Sequence, residues 1–109
     1  MNSFLFLRNN NCNKNYYIFG STDDLLFEDK TYSQNELNKG FFEYVWQFPI
    51  HFAHLAKHTI YKKYFHMFHQ NNKKFCHKNI VKYINNYLRE NNETFIALNK
   101  KQIAERLKK

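Results

Sequence analysis

The sequence predicts an α+β fold: a three-stranded antiparallel sheet with one long and two or three shorter helices packed on it. Three observations predict it. Two short apolar segments near the N-terminus flank an asparagine-rich loop, and a third, aromatic segment alternates between apolar and polar residues. The second half of the chain carries apolar residues at helical spacing. A length of 109 residues suits one domain, and we expect a single domain over residues 1–109.

The three strands are expected at Ser3–Arg8, Tyr16–Thr22 and Phe41–Phe48. The first two are joined by Asn9–Asn15, where asparagine tolerates left-handed turn geometry. The third strand stops at Pro49, which also suits the start of a helix.

Helical segments follow the second and third strands. Asp23–Lys39 is polar, and Ser33 with Glu36 matches a Ser-x-x-Glu capping box, which predicts one or two helical turns closed by Gly40. The longest candidate places its apolar side chains on one face of a helical wheel. The three main helices are expected at His51–Gln70, Lys78–Arg89 and Lys100–Lys108.

Charge is distributed unevenly along the chain. The net charge is +8, but residues 1–50 carry four basic and six acidic residues, whereas residues 51–109 carry thirteen basic and three acidic ones. This asymmetry favours a polyanionic partner, most often nucleic acid, although lysines on a solvated face explain it as well. Lysines contact phosphates, so we expect binding of low sequence specificity. The candidate nucleic-acid-binding residues are Lys57, Lys62, Lys63, Lys73, Lys74, Lys78, Lys82 and Arg89.

The remaining composition indicates an intracellular protein. Cys12 and Cys76 are too few for the disulfide framework of a small secreted domain, which favours reduced thiols. No segment approaches the roughly 20 apolar residues of a membrane span, so no membrane partner is expected. The abundance of Asn, Lys, Tyr, Phe and Ile reflects A/T-rich codons, which suggests a protein from a virus, a phage, a parasite or a small-genome bacterium. We expect it in the cytoplasm or nucleus of a host cell. The oligomeric state stays open.

All six histidines fall between residues 51 and 77. On one long helix, five of them would share a face, and His51, His54 and His58 follow i, i+3, i+7 spacing, so neighbouring pairs suit a shared metal ion. A polar helix face without a ligand and a catalytic or pH-sensing role are the alternatives. The sequence shows no glycine-rich phosphate loop, Ser–His–Asp order or paired-carboxylate pattern.

The segment Tyr17–Thr22, YIFGST, followed by Asp24 and Leu25, resembles the signature of the GIY-YIG nuclease superfamily. Residues 41–65 are similar to the third strand and long helix of its phage and large-DNA-virus branch. The resemblance implies a GIY-YIG-like core over about residues 3–70, built in order from a strand hairpin, a short helix, a third strand and a long helix. This core is followed by a basic helical extension over 71–109. The resemblance also implies a nucleic acid, DNA or RNA, as partner and, in an active member, a divalent metal as cofactor.

Most catalytic residues that the resemblance implies are replaced. Glu28 stands where the family has a phosphate-contacting arginine, and Phe6 stands near the family's first tyrosine. His58, or His54, occupies the position of the metal-binding glutamate, so Tyr17 and His58 are the residues expected to act if any catalysis remains. Because a glutamate repels a phosphate, the resemblance favours a scaffold without nuclease activity and without a cofactor.

Three functions remain open at this stage. The first is a non-catalytic nucleic-acid-associated protein. The second is an effector that binds a host protein through exposed rings around Tyr44, Trp46 and Tyr61. The third is an active metal-dependent nuclease.

Overall fold

The computed structural model describes residues 1–34, 40–91 and 94–108. A 3₁₀ turn, Phe65–Met67, separates the second helix from the fourth strand. The elements in chain order are β1 (Asn2–Asn9), β2 (Tyr16–Thr22), α1 (Leu25–Ser33), β3 (Phe42–Pro49), α2 (Phe52–Lys63), β4 (Phe68–His69), β5 (Asn72–His77), α3 (Ile80–Glu90), β6 (Ile96–Leu98) and α4 (Lys100–Leu107).

The α+β class is confirmed, but the predicted three-stranded sheet is wrong. Among the described residues, six strands form one antiparallel sheet in the order β4-β5-β2-β1-β3-β6. The three predicted strands are its centre, and the later strands extend both edges: β5 pairs with β2, and β6 pairs with β3. Residues 71–109 are therefore not only a helical extension, because they supply two strands of the sheet.

Helices cover both faces of the sheet. Residues Ser3–Arg8 of β1 are all buried, as expected for a central strand covered on both sides. On one face, α2 and α3 pack against Leu5, Leu7, Phe19 and Trp46. On the other face, Leu25 of α1 and Ile103 of α4 pack against Phe4, Phe6 and Phe42.

The predicted long helix His51–Gln70 is wrong beyond Lys63. The helix ends there, the 3₁₀ turn follows, and Phe68 enters the sheet as the first residue of β4. Phe68 is 6% exposed and packs against the rings of Phe19 and Tyr61. Burying this ring beside the sheet requires the chain to leave the helix. The predicted helices Lys78–Arg89 and Lys100–Lys108 are confirmed as α3 and α4 with small shifts of their ends.

The first helix is longer than predicted and has a different cap. Asp24 is its N-cap, and its Oδ1 accepts a hydrogen bond from the Phe27 amide at 3.1 Å. Ser33, one half of the predicted capping box, is the last residue of α1. Glu36, the other half of the predicted capping box, lies outside the described residues.

The topology brings the C-terminal ends of β2 and β3 close together. Because β1 is antiparallel to both of these strands, β2 and β3 run in the same direction and end at the same end of β1. There the buried hydroxyl of Ser3 accepts a hydrogen bond from the Ala53 amide at 3.0 Å, which fixes the first turn of α2 on β1. The residues after β2 and after β3 therefore lie close together.

No helix in the described ranges is long and apolar enough to cross a membrane.

Gly20 on β2 lies against the ring of Phe6, its partner on β1. A Cβ at this position would lie 2.6 Å from Phe6 Cζ, and Phe6 is 1% exposed and packed edge-on against Phe42. We expect Gly20→Ala to lower the free energy of unfolding by about 1–3 kcal/mol in urea denaturation, because the ring has no free space to enter. The double variant Gly20→Ala/Phe6→Leu should lose less stability than the sum of the losses in the two single variants, because leucine makes room for the added methyl group. A loss equal to that sum would contradict the contact between Gly20 and Phe6.

Candidate functional site

A basic groove lies between α2 and β5. It has a volume of about 300 Å³, and none of the described residues that line it is acidic. Three of the eight predicted basic residues meet here, although 16 positions separate the first from the second along the chain. The lining residues are Phe19, Lys57, His58, Tyr61, Lys73 and Lys74.

The two walls of the groove come from distant parts of the sequence. Lys57, His58 and Tyr61 share one side of α2 because residues three and four apart in a helix are neighbours. Lys73 and Lys74 are exposed residues of β5, and the Lys73 ammonium lies 5.7 Å from the centre of the Tyr61 ring. Positive charge is therefore concentrated around a partly buried aromatic ring.

The other predicted basic residues lie on or next to α2 and α3, the two helices that pack on the same face of the sheet. Lys78 and Lys82 line a second cavity, of about 440 Å³, along α3. The Lys63 ammonium lies 5.5 Å from the centre of the Tyr87 ring, between α2 and α3. Lys62 and Arg89 are exposed, and the Arg89 side chain hydrogen bonds within its own helix.

Tyr17 is not directed at the groove. Its hydroxyl donates a hydrogen bond to Glu43 Oε2 at 2.7 Å, and its ring packs edge-on against Tyr44. Burial and the hydrogen bond to Glu43 raise the pKa of Tyr17 well above its ordinary value, so the phenol stays protonated. His58, in contrast, lines the groove together with Phe19. The two candidate catalytic residues, Tyr17 and His58, therefore have different neighbours.

The replaced family positions lie away from the groove. Phe6 is buried on the side of the sheet that α1 and α4 cover. Glu28 is on α1, and α1 packs on the face opposite to α2.

A second cluster of polar side chains lies where β2 ends and α2 begins. His54 Nε2 is 2.9 Å and His51 Nδ1 is 3.1 Å from the same oxygen, Asp23 Oδ1. The other ring nitrogen of His54, Nδ1, is 2.7 Å from Ser21 Oγ. Hydrogen bonds from His54 and, second to it, His51 hold the pKa of the Asp23 carboxyl below its ordinary value.

This cluster corrects the predicted stripe of five histidines. Because α2 ends at Lys63, His66 lies in the 3₁₀ turn and His69 on β4. The structure places His51 and His54 together, as predicted, but Asp23 is their third partner and His58 lies in the groove. The sequence analysis missed Ser21 and Asp23 because no periodic pattern links them to a helix that begins about 30 residues later. Only the common direction of β2 and β3 indicates that these residues lie near the start of α2.

The connectivity Ser21–His54–Asp23 is that of a nucleophile, a base and an orienting carboxylate, although no such order was recognised in the sequence. The environment differs from that of a hydrolase relay, in which the carboxylate is buried and serves one histidine. Here the Asp23 side chain is 47% exposed and contacts two imidazoles. This donor set suits a cation better than it suits a relay.

A scan against protein-family models matched none, and searches of curated proteins and of solved structures found no match.

The rings predicted as anchors for a host protein are only partly exposed. Trp46 is 2% exposed, so its predicted exposure is wrong. It faces α3, where its Nε1 donates a hydrogen bond to Asn85 Oδ1 at 3.1 Å. Tyr44 is 38% exposed, and Tyr61 belongs to the basic groove.

Proposed function

We propose that this protein binds nucleic acid through the groove between α2 and β5, which contacts backbone phosphates. The observation that carries the proposal is the convergence of Lys57, Lys73 and Lys74 on one groove, whose lining in the described part of the chain includes no acidic residue. Lysine ammonium groups neutralise phosphates and release the counterions that surround nucleic acid. The uneven charge of the sequence also supports a polyanionic partner, since the net positive charge belongs to the second half of the chain, which supplies these three lysines.

The chemistry of the groove favours backbone recognition over sequence reading. Arginine, asparagine and glutamine have planar groups suited to bidentate contacts with base edges, and none of them is among the described residues that line the groove. The lysine ammonium is a point charge, which suits phosphates. Tyr61 offers a ring beside the lysines, which suits contact with an unpaired base. We therefore propose binding that depends strongly on salt and weakly on sequence.

We propose in addition that the scaffold is GIY-YIG-like and has lost nuclease activity. The order β1, β2, α1, β3, α2 supports this, because it is the element order that the resemblance implies. Loss of activity is supported by Glu28 and Phe6 at the family's arginine and tyrosine positions, and by the engagement of the Tyr17 hydroxyl with Glu43.

The test is fluorescence anisotropy with labelled duplex and single-stranded nucleic acids over a salt series. The variant Lys57→Ala/Lys73→Ala/Lys74→Ala is expected to bind more weakly. Its log–log salt slope on duplex DNA should be smaller in magnitude by about 2–3, because each lost phosphate contact removes roughly one unit.

The matched control is Lys30→Ala/Lys100→Ala/Lys101→Ala, which removes the same charge from exposed lysines of α1 and α4 on the opposite face. It should keep most of the affinity and nearly the whole salt slope. Equal losses in the two variants would mean that charge alone matters and would contradict the groove assignment. Absence of binding by the unmodified protein at low salt would overturn the function and favour a protein partner.

A further inference from the structure

Three potential metal ligands converge where β2 and β3 end. Asp23 follows β2, His51 directly precedes α2, and His54 lies in the first turn of α2. One ligand atom of each side chain lies within 4.8 Å of the other two. Their side chains are 41–56% exposed, so an ion has access from solvent.

Two of the three distances between ligand atoms fit a first-row metal after small adjustments, and the third lies within 4.8 Å. Zinc bonds of about 2.0–2.1 Å place tetrahedral ligand atoms roughly 3.3 Å from one another. Asp23 Oδ1 is 2.9 Å from His54 Nε2 and 3.1 Å from His51 Nδ1, so both pairs need to move apart by only a few tenths of an ångström. Both imidazole nitrogens already point at the carboxylate that would share the ion.

Ser21 supplies an outer contact of the kind that metal-binding histidines use. With His54 Nε2 on the ion, Nδ1 carries the proton and donates to Ser21 Oγ, 2.7 Å away. This contact holds the ring orientation of His54 and is compatible with that tautomer, because a hydroxyl can accept as well as donate a hydrogen bond. Ser21 is itself partly buried on β2.

The backbone also holds the ligands in place. The His54 amide donates to the His51 carbonyl at 3.1 Å, so the two histidines belong to one helical turn. The residue before His51, Ile50, has a φ of 51°, an unfavourable conformation for a β-branched side chain. Its amide donates to the Met1 carbonyl at 2.7 Å, which holds this turn at the start of β1.

We propose that Asp23, His51 and His54 form a binding site for a divalent transition-metal ion, with Zn²⁺ as the best fit. Two imidazoles and one carboxylate favour zinc and its first-row neighbours, whereas Mg²⁺ and Ca²⁺ prefer oxygen ligands. Three protein ligands leave at least one position for water or another ligand. The site does not depend on the groove, although His58 in the groove lies one helical turn after His54.

The test uses tag-free, metal-stripped protein titrated with Co²⁺, followed by its visible absorption, and then with Zn²⁺ in competition. One ion per chain is expected, and Zn²⁺ should displace Co²⁺. The variant His51→Ala/His54→Ala should weaken binding by at least about 100-fold, and Ser21→Ala by about tenfold, because it removes only an outer contact. Circular dichroism confirms that each variant is folded.

The matched control is His66→Ala/His69→Ala, which removes two exposed imidazoles outside the cluster. It should bind the ion as the unmodified protein does. No saturable binding, or equal weakening in the two double variants, would overturn the proposal. Metal binding is measured without nucleic acid, so its failure is distinct from failure of the proposed nucleic-acid binding.

Discussion

Replacement of Trp46 by alanine is expected to lower the free energy of unfolding by about 4 kcal/mol, because it removes the largest side chain of the core. Trp46 is 2% exposed and joins β3 to α3, where its Nε1 donates to Asn85 Oδ1 at 3.1 Å. Such a loss is a large part of the 5–15 kcal/mol that typically separates folded from unfolded domains. The measurement is urea denaturation followed by circular dichroism, since Trp46 is the only tryptophan of the chain.

A second substitution separates packing from the hydrogen bond. Trp46→Phe keeps an aromatic ring and loses the Asn85 contact, and its cost should be about half that of alanine or less. Tyr44→Ala is the control on the same strand; because Tyr44 is 38% exposed, it should cost less than Trp46→Ala. If Trp46→Ala costs less than about 1 kcal/mol, α3 does not pack on this side chain as described.

Replacement of Asp29 by alanine is expected to lower the free energy of unfolding by about 3 kcal/mol, because it leaves the buried Arg8 guanidinium without its anion. Arg8 is 0% exposed and lies between the rings of Tyr32 and Phe42. Its Nη1 donates to Asp29 Oδ1 at 2.9 Å and its Nη2 to the Gly40 carbonyl at 2.6 Å. Its Nε is buried without a hydrogen-bond partner among the described residues, so little compensates for a lost carboxylate.

The comparison with Arg8→Met tests this physical reason. Methionine fills a similar volume without a charge, and the Asp29 side chain is 29% exposed and so keeps access to water. Arg8→Met should therefore cost at least about 2 kcal/mol less than Asp29→Ala. The exposed neighbour Lys30→Ala should stay within about 0.5 kcal/mol of the unmodified protein in the same denaturation experiment. A larger cost for Arg8→Met would mean that the contacts of Arg8, not its charge, dominate.

Local sequence patterns predicted the central elements because their signals are short-ranged. Alternation in Phe41–Phe48 indicated β3, and apolar spacing indicated α3. The same reasoning extended α2 too far, since Phe68 continues the helical spacing but is buried as part of β4. It missed β6 because three residues carry almost no periodic signal.

The candidate sites were predicted only in part. The histidine spacing correctly paired His51 with His54, because residues three apart in a helix are neighbours. The sequence did not indicate that Asp23 and Ser21 contact these histidines, since both residues lie at the end of β2, far from α2 along the chain. The basic residues were identified by composition, but which of them share a groove depends on how β5 lies beside α2.

The sequence by itself determined the α+β class, the three central strands, the last two helices and the positive charge of the second half. Each of these depends on residues that are neighbours along the chain or on composition alone. Only the tertiary structure decided the six-stranded sheet, the groove between α2 and β5, and the contact of Asp23 with two histidines. The physical reason is that strand pairing and the convergence of side chains join residues far apart in sequence, and no local period records which of them meet.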